Sequence, residues 1–127
     1  TLYGLETRSG YVIWRKRLGK PIVSSPEIAW RTLVVGCADG YIYALETLTG
    51  KELWRFQTEN QVTGSPLIYQ NAVYCGSVDG HLYSLELGSG KLRWKFRSGG
   101  PITGAPVAAA DHIYCGSTDH KVYALTP

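Results

Sequence analysis

The chain has 127 residues, of which 44% are hydrophobic and 18% are charged, and its formal net charge is +3. This composition excludes a disordered chain, and so small a charge gives no support for nucleic-acid binding. No apolar run is long enough to cross a bilayer as a helix, so we expect no membrane span. The abundant glycines and tyrosines favour β-strands joined by tight turns.

The sequence repeats itself with a period of 40 residues, and the copies align without a gap. Three copies share a glycine, a tryptophan and an aspartate: Gly10, Gly50, Gly90, Trp14, Trp54, Trp94, Asp39, Asp79 and Asp119. A period near 40 indicates one supersecondary unit that is repeated about three times.

Each copy predicts four short strands, labelled A to D, in an antiparallel meander. The chain opens on a C strand at 2–6, and a complete copy then reads, in chain order, as strands at 62–70, 72–77, 81–87 and 91–97. Loops containing Asn71, Asp79-Gly80 and Gly90 separate these runs, and such loops are hairpin signals. No segment has the spacing of an amphipathic helix.

We therefore predict an all-β fold, a β-propeller segment of about three four-stranded blades that does not close a ring. Its predicted parts are a partial blade at 1–21, complete blades at 22–57 and 62–97, and a partial blade at 102–127. We expect a fragment of a longer propeller, because the chain lacks methionine and both ends fall on the same strand of the repeat. A homodimer that closes one ring is the alternative.

The repeated pattern G-S-x-D-G-x-[LV]-Y-A-L-[DE]-x-x-[TS]-G-x-x-x-W-x-F resembles the pyrroloquinoline-quinone-type, or quinoprotein-like, β-propeller repeat family over the whole chain. That family includes quinoprotein alcohol dehydrogenases. It also includes proteins without a quinone, such as a lipoprotein of the outer-membrane barrel-assembly machinery, the sensor portions of bacterial serine/threonine kinases and a propeller attached to an adenylating enzyme. The resemblance implies the fold and leaves the activity open.

The resemblance also implies that the repeated tryptophans, Trp14, Trp54 and Trp94, dock onto the neighbouring blade. A small residue stands ten positions before each of them and leaves room for the indole: Gly4, Ala44 and Ser84. We expect the repeated glycines, Gly10, Gly50 and Gly90, to form the C–D turn, where a positive φ is needed.

The triplet Thr49-Gly50-Lys51 resembles part of a phosphate-binding loop, but we interpret it as a turn. A P-loop lies between a strand and a helix, and Ser or Thr follows its lysine. Here strands flank the triplet, Glu52 follows it, and the first copy has Tyr11 in place of the lysine. We therefore predict that Lys51 binds no ligand.

We predict no catalytic, cofactor-binding or metal-binding residue in this segment. In the quinoprotein enzymes the resemblance implies a disulfide between adjacent cysteines, a tryptophan beneath the quinone and carboxylates on Ca²⁺, and this chain has no adjacent cysteines. The histidines are scattered, whereas zinc sites cluster their ligands. The repeated aspartates, Asp39 and Asp79 before glycine and Asp119 before His120, are interpreted as turn residues.

Serine and cysteine also give no catalytic signal. Ser77 and Ser117 occupy a repeated turn position, whereas a nucleophile is expected to be singular. Cys75 and Cys115 stand where the first copy has Val35, which indicates small core residues. Unpaired cysteines favour a reducing compartment, and a periplasmic or other extracytoplasmic location stays open.

The D–A loops differ most between copies, and loops are where repeats are free to carry function. We therefore take as candidate interface residues the charged and polar ones in these loops, together with the tryptophan that lies outside the repeat: Trp30, Arg17, Lys20, Glu59, Asn60 and Arg97. The favoured hypothesis is a non-catalytic segment that serves as a protein-interaction scaffold or a sensor part of a larger protein. The alternative is a structural portion of a pyrroloquinoline-quinone-dependent dehydrogenase.

Overall fold

The computed structural model describes all 127 residues as thirteen β-strands in four antiparallel sheets. The first sheet holds β1 (Leu2–Leu5) and β2 (Val12–Lys16). The next two sheets are complete blades: β3 (Glu27–Ala29), β4 (Thr32–Gly36), β5 (Tyr41–Glu46), β6 (Glu52–Gln57), and β7 (Leu67–Tyr69), β8 (Ala72–Gly76), β9 (His81–Glu86), β10 (Leu92–Arg97). The last sheet holds β11 (Val107–Ala109), β12 (His112–Gly116) and β13 (Val122–Leu125).

The predicted all-β propeller architecture is confirmed, and the sheets form an open fan rather than a closed ring. Each sheet is a meander in which sequence neighbours pair antiparallel. The chain contains no helix long and apolar enough to cross a membrane.

The hydrophobic core lies between the blades rather than within any one of them. Alternation along the strands gives the sheets apolar faces, and adjacent sheets pack face to face. Between the two complete blades, Val34 and Ala44 of the first pack with Val73 and Tyr83 of the second. Similar clusters join the outer sheets to the complete blades. Each blade is therefore stabilised mainly by its neighbours.

The innermost strand is shorter than the sequence predicts, since residues 62–66 are not part of β7. The N–H of Val62 donates to the carbonyl of Cys37 in the preceding blade at 3.1 Å. The side chain of Val62 packs so closely on Gly36 that a Cβ there would lie 2.3 Å from it. This segment is therefore held by the previous blade and cannot join the ladder of its own.

The loops divide between two faces of the fan. The connection face carries the D–A loops and the B–C turns, which are joined by main-chain hydrogen bonds from Ala38 to Pro21 and from Val78 to Gln61. The hairpin face carries the A–B tips and the C–D turns. Within one blade these are joined by the N–H of Thr47, in the C–D turn, which donates to the carbonyl of Arg31, in the A–B tip. The two faces are separated by the length of the strands.

Candidate functional site

The connection face is built on the repeated aspartate of the B–C turn. Asp79 accepts the N–H of His81 at 2.8 Å and the hydroxyl of Tyr83 at 2.5 Å. It also accepts the N–H of Glu59, which belongs to the D–A loop that arrives from the preceding blade, at 3.0 Å. The same carboxylate thus shapes the turn and joins two blades.

The equivalent contacts recur in the other copies. Asp119 accepts the N–H of Lys121 and the N–H of Gly99, both at 2.9 Å. Asp39 accepts the N–H of Tyr41 at 2.9 Å and the hydroxyl of Tyr43 at 2.5 Å. All three aspartates therefore lie in B–C turns, where they accept hydrogen bonds from the chain itself. Two of them, Asp79 and Asp119, also accept an N–H of a D–A loop.

These hydrogen bonds change the acidity of the groups involved. Burial opposes the ionised form of Asp79, but the donors Tyr83, His81 and Glu59 outweigh it and hold the pKa of that carboxyl below its usual range. Burial and the facing carboxylate raise the pKa of the Tyr83 hydroxyl well above its usual value. The pair is therefore a carboxylate that accepts from a neutral phenol.

Buried hydroxyl groups also hold the main chain of the D–A loop in place. The hydroxyl of Thr58 is buried and lies 2.8 Å from the carbonyl oxygen of Gly40 and 2.6 Å from that of Asn60. The buried hydroxyl of Ser77 lies 3.2 Å from the carbonyl oxygen of Gln61. Since the main chain of the loop is fixed at both ends, its side chains can vary without changing its path.

A polar cavity of about 270 Å³ lies between this D–A loop and the B–C turn of the first complete blade. Charged and amide side chains dominate its lining, which includes Lys20, Asp39, Gln57, Glu59, Asn60 and Gln61. Amide side chains both donate and accept hydrogen bonds, as a peptide main chain requires of its partner. The cavity is therefore suited to a polar, extended ligand rather than to an apolar one.

The structure brings together some of the predicted interface residues and separates others. Lys20, Glu59 and Asn60 share the polar cavity, and Arg17 lines an adjoining cavity of about 530 Å³ that also includes Lys20. Arg97 ends β10 on the connection face and pairs with His81 in the ladder. Trp30 lies on the hairpin face instead, where its side chain is 95% exposed and its φ is 57°.

The tryptophan of the outer strand packs across two blades. Trp54 lies opposite Ala44 in the ladder, is 8% exposed, and donates its indole N–H to the carbonyl of Leu87 in the next blade at 2.8 Å. A Cβ on Gly90 of that blade would lie 2.5 Å from the indole. Trp14 makes the same contact, donating to the carbonyl of Thr47 at 2.7 Å. Trp94, opposite Ser84, lines a cavity of about 310 Å³ at the edge of the last sheet.

Glu46 organises the C–D turn, a role that is not predicted from the sequence. Glu46 accepts the N–H of Leu48 and the N–H of Thr49, both at 2.8 Å, while the N–H of Lys51 donates to the hydroxyl of Thr49. The recurrence of glutamate at this position in three copies is a sequence signal that could have indicated this role. The side chain of Lys51 makes no hydrogen bond or ion pair in this turn, where the lysine contributes only its main chain.

The cysteines lie in the core, and none is in a disulfide. Burial raises the pKa of the Cys75 thiol to about 12, and it also raises the pKa of Cys37 and of Cys115. A thiol that stays protonated is a poor nucleophile and a poor metal ligand.

The comparisons with known proteins agree with this architecture. The family described as outer membrane protein assembly factor BamB matches residues 1–94 and, in an overlapping register, residues 38–127. No curated protein matches the chain.

Two solved structures show the same fold. BamB from Moraxella catarrhalis superposes with a TM-score of 0.81 at 22% identity, covering 94% of this chain and 41% of that one. A quinohemoprotein alcohol dehydrogenase from Pseudomonas putida HK5 superposes with a TM-score of 0.72 at 17% identity, covering 89% of this chain and 20% of that one. The chain therefore spans less than half the length of the first protein and about a fifth of the second.

Proposed function

We propose that the chain, which belongs to the family described as outer membrane protein assembly factor BamB, is a non-catalytic β-propeller segment that serves as a protein-interaction scaffold within a larger protein. The observation that carries this proposal is the connection face. Its main chain is fixed by repeated contacts, while the side chains of its D–A loops change from copy to copy. A rigid frame with variable loops is the arrangement of a recognition surface.

The polar cavity indicates what kind of partner such a surface would take. Lys20 and Glu59 supply opposite charges, and Gln57, Asn60 and Gln61 supply amide donors and acceptors. An extended polar segment of another protein, or of the same parent protein, matches this lining better than an apolar helix does. The remaining blades of the parent propeller are the expected partners of the open edges of the fan.

The alternative is a structural part of a quinoprotein dehydrogenase. The superposition on a quinohemoprotein alcohol dehydrogenase supports it at the level of the fold alone. Adding pyrroloquinoline quinone and Ca²⁺ to the full parent protein distinguishes the two functions, because a structural segment of a dehydrogenase would have its cofactor residues elsewhere in that parent. A quinone absorbance change or a thermal shift that requires both additives would favour the dehydrogenase, and the scaffold proposal expects neither.

Site-specific photocrosslinking in the parent protein tests the scaffold directly. A photoreactive amino acid at Asn60 or Gln61, on the connection face, is expected to capture one discrete protein product in cells. The matched control is the same amino acid at Ser89, an exposed position of the C–D turn on the hairpin face. Equal capture from Ser89, or none from Asn60 and Gln61, would contradict the proposal.

A further inference from the structure

Two residues that occur in only one copy of the repeat lie beside the turn aspartate Asp79. Glu59 stands where both other D–A loops have glycine. His81 occupies a position that differs in every copy, where Thr1, Tyr41 and Lys121 stand in the others. Both residues lie beside Asp79, so the junction of the two complete blades places a histidine and two carboxylates together. The sequence alone does not predict this cluster, because Glu59 and His81 are far apart along the chain and the three histidines are scattered.

The three side chains lie at distances that suit a bound cation. The Nδ1 of His81 lies 3.1 Å from an oxygen of Asp79 and 4.0 Å from an oxygen of Glu59. The three potential ligand atoms all lie within 4.8 Å of one another. Ligand atoms around a tetrahedral ion at about 2.1 Å are separated by about 3.4 Å, so small rotations of the side chains would complete the geometry.

The contacts around the cluster hold these ligands in place. Tyr83 donates its hydroxyl to Asp79, and the main-chain N–H of Glu59 donates to the same carboxylate. The ring of His81 packs on that of Tyr83, with centroids 5.7 Å apart. The side chains of Asp79 and His81 are 5% and 12% exposed, whereas that of Glu59 is 70% exposed. Asp79 and His81 are thus held in place by Tyr83, whereas the side of the site formed by Glu59 is open to solvent.

We propose that Glu59, Asp79 and His81 form a binding site for a divalent transition-metal cation of the Zn²⁺ class, which would join the D–A loop of one blade to the B–C turn of the next. One imidazole nitrogen and two carboxylates are a donor set that Zn²⁺ accepts, with water in the remaining position. Mg²⁺ and Ca²⁺ prefer six or more oxygen ligands and are disfavoured here. The two carboxylates also balance the charge of the ion.

Other groups in the chain compete poorly for the same ion. The thiols are buried and protonated, as described above. His112 points its Nδ1 at the carbonyl of Ala110, 2.8 Å away, and neither His112 nor His120 belongs to a comparable cluster. Arg97 lies opposite His81 in the ladder, but its guanidinium forms no ion pair with Glu59 or Asp79. The ordinary alternative is a hydrogen bond between the Nδ1 of His81 and the carboxylate of Asp79, with no metal.

Titration calorimetry of the purified 127-residue chain with Zn²⁺, and separately with Mg²⁺, tests the proposal. We expect one saturable Zn²⁺ site per chain and no comparable Mg²⁺ site. The repeat supplies matched variants, since His81→Tyr and Glu59→Gly restore residues that other copies carry at these positions. His81→Tyr is expected to raise the Kd for Zn²⁺ at least about tenfold, equivalent to about 1.4 kcal/mol, and Glu59→Gly to raise it in the same direction.

His120→Gly, which likewise restores the residue of the other copies, is the control and should leave the Kd unchanged. Absence of Zn²⁺ binding, or unchanged binding in His81→Tyr, would overturn the proposal. Nuclear magnetic resonance of the wild-type chain with ¹⁵N-labelled histidine covers the case in which a variant fails to fold. Zinc should shift the Nδ1 resonance of His81 and not those of His112 and His120, and the reverse pattern would refute the site.

Discussion

At the scale of single residues, Asp79 shows how one side chain can serve both a turn and the contact between blades. Replacement by asparagine leaves one accepting oxygen for donors that the carboxylate serves with two. We expect Asp79→Asn to lower the free energy of unfolding at neutral pH by about 1–3 kcal/mol. Denaturant unfolding at a series of pH values measures the effect.

The pH dependence of this effect has a defined sign. Because the folded pKa of Asp79 lies below its unfolded value of about 3.9, its stabilisation is complete above that value. The stabilisation is lost as pH falls through the folded pKa, so the difference between wild type and Asp79→Asn should shrink there. The control is Asp111→Asn, which restores the residue of another copy at an exposed hairpin tip and should change stability by less than about 0.5 kcal/mol. A difference that persisted unchanged at low pH would show that the charge of Asp79 is not what stabilises the fold.

At the scale of the strand and its turn, we expect the packing of Trp54 to make the largest contribution to the free energy of unfolding. Trp54 is nearly buried, donates a hydrogen bond to Leu87 and covers Gly90 of the next blade. We expect Trp54→Ala to cost about 3–5 kcal/mol of unfolding free energy, because it opens a cavity between the two complete blades. Thermal and denaturant unfolding give this value.

The control is Trp30→Gln, which substitutes the residue of the next copy at the same hairpin tip. Trp30 is almost fully exposed, so its replacement should change stability by less than about 0.5 kcal/mol. Similar losses for Trp30→Gln and Trp54→Ala would mean that the indole of Trp54 does not act through packing between blades.

The turn that precedes Trp54 gives a prediction of the opposite kind. The N–H of Lys51 donates to the hydroxyl of Thr49, and its side chain is exposed. Lys51→Ala keeps that N–H, so stability should change by less than about 0.5 kcal/mol, and calorimetry should detect no binding of inorganic phosphate by either protein. Phosphate binding that Lys51→Ala abolishes, in a folded protein, would restore the phosphate-loop interpretation.

The elements that sequence could predict are those that the repeat records. Strand order, the turn at Asp79 and the position of Trp54 all recur at a spacing of 40 residues, and each recurrence is an independent sample of the same local physics. The short β7 was not predictable, because residues 62–66 are held by a contact with the preceding blade that no local pattern contains. The cluster of Glu59 with His81 was missed for the same reason, since it forms only where two blades meet.

At the scale of the whole molecule, stability should follow the number of neighbours that each blade has. The middle strands of the complete blades, such as β8 and β9, are buried on both faces. In contrast, β1 and β13 alternate between exposed and half-buried residues, because one face of each terminal sheet has no blade packed on it. In repeat proteins, stability is a sum of repeats and interfaces, so the missing interfaces should weaken the ends of the fan first.

Native-state hydrogen exchange on the isolated chain measures this gradient. We expect the amides of β4, β5, β8 and β9 to exchange most slowly and those of β1, β2 and β13 to exchange first, through openings smaller than global unfolding. Trp54→Ala should accelerate exchange in both complete blades, because it removes the contact that couples them. Uniform protection from β1 to β13 would instead mean that the fan unfolds as one unit, and the open edges would then need a second copy of the chain to cover them, which the mass in solution would reveal.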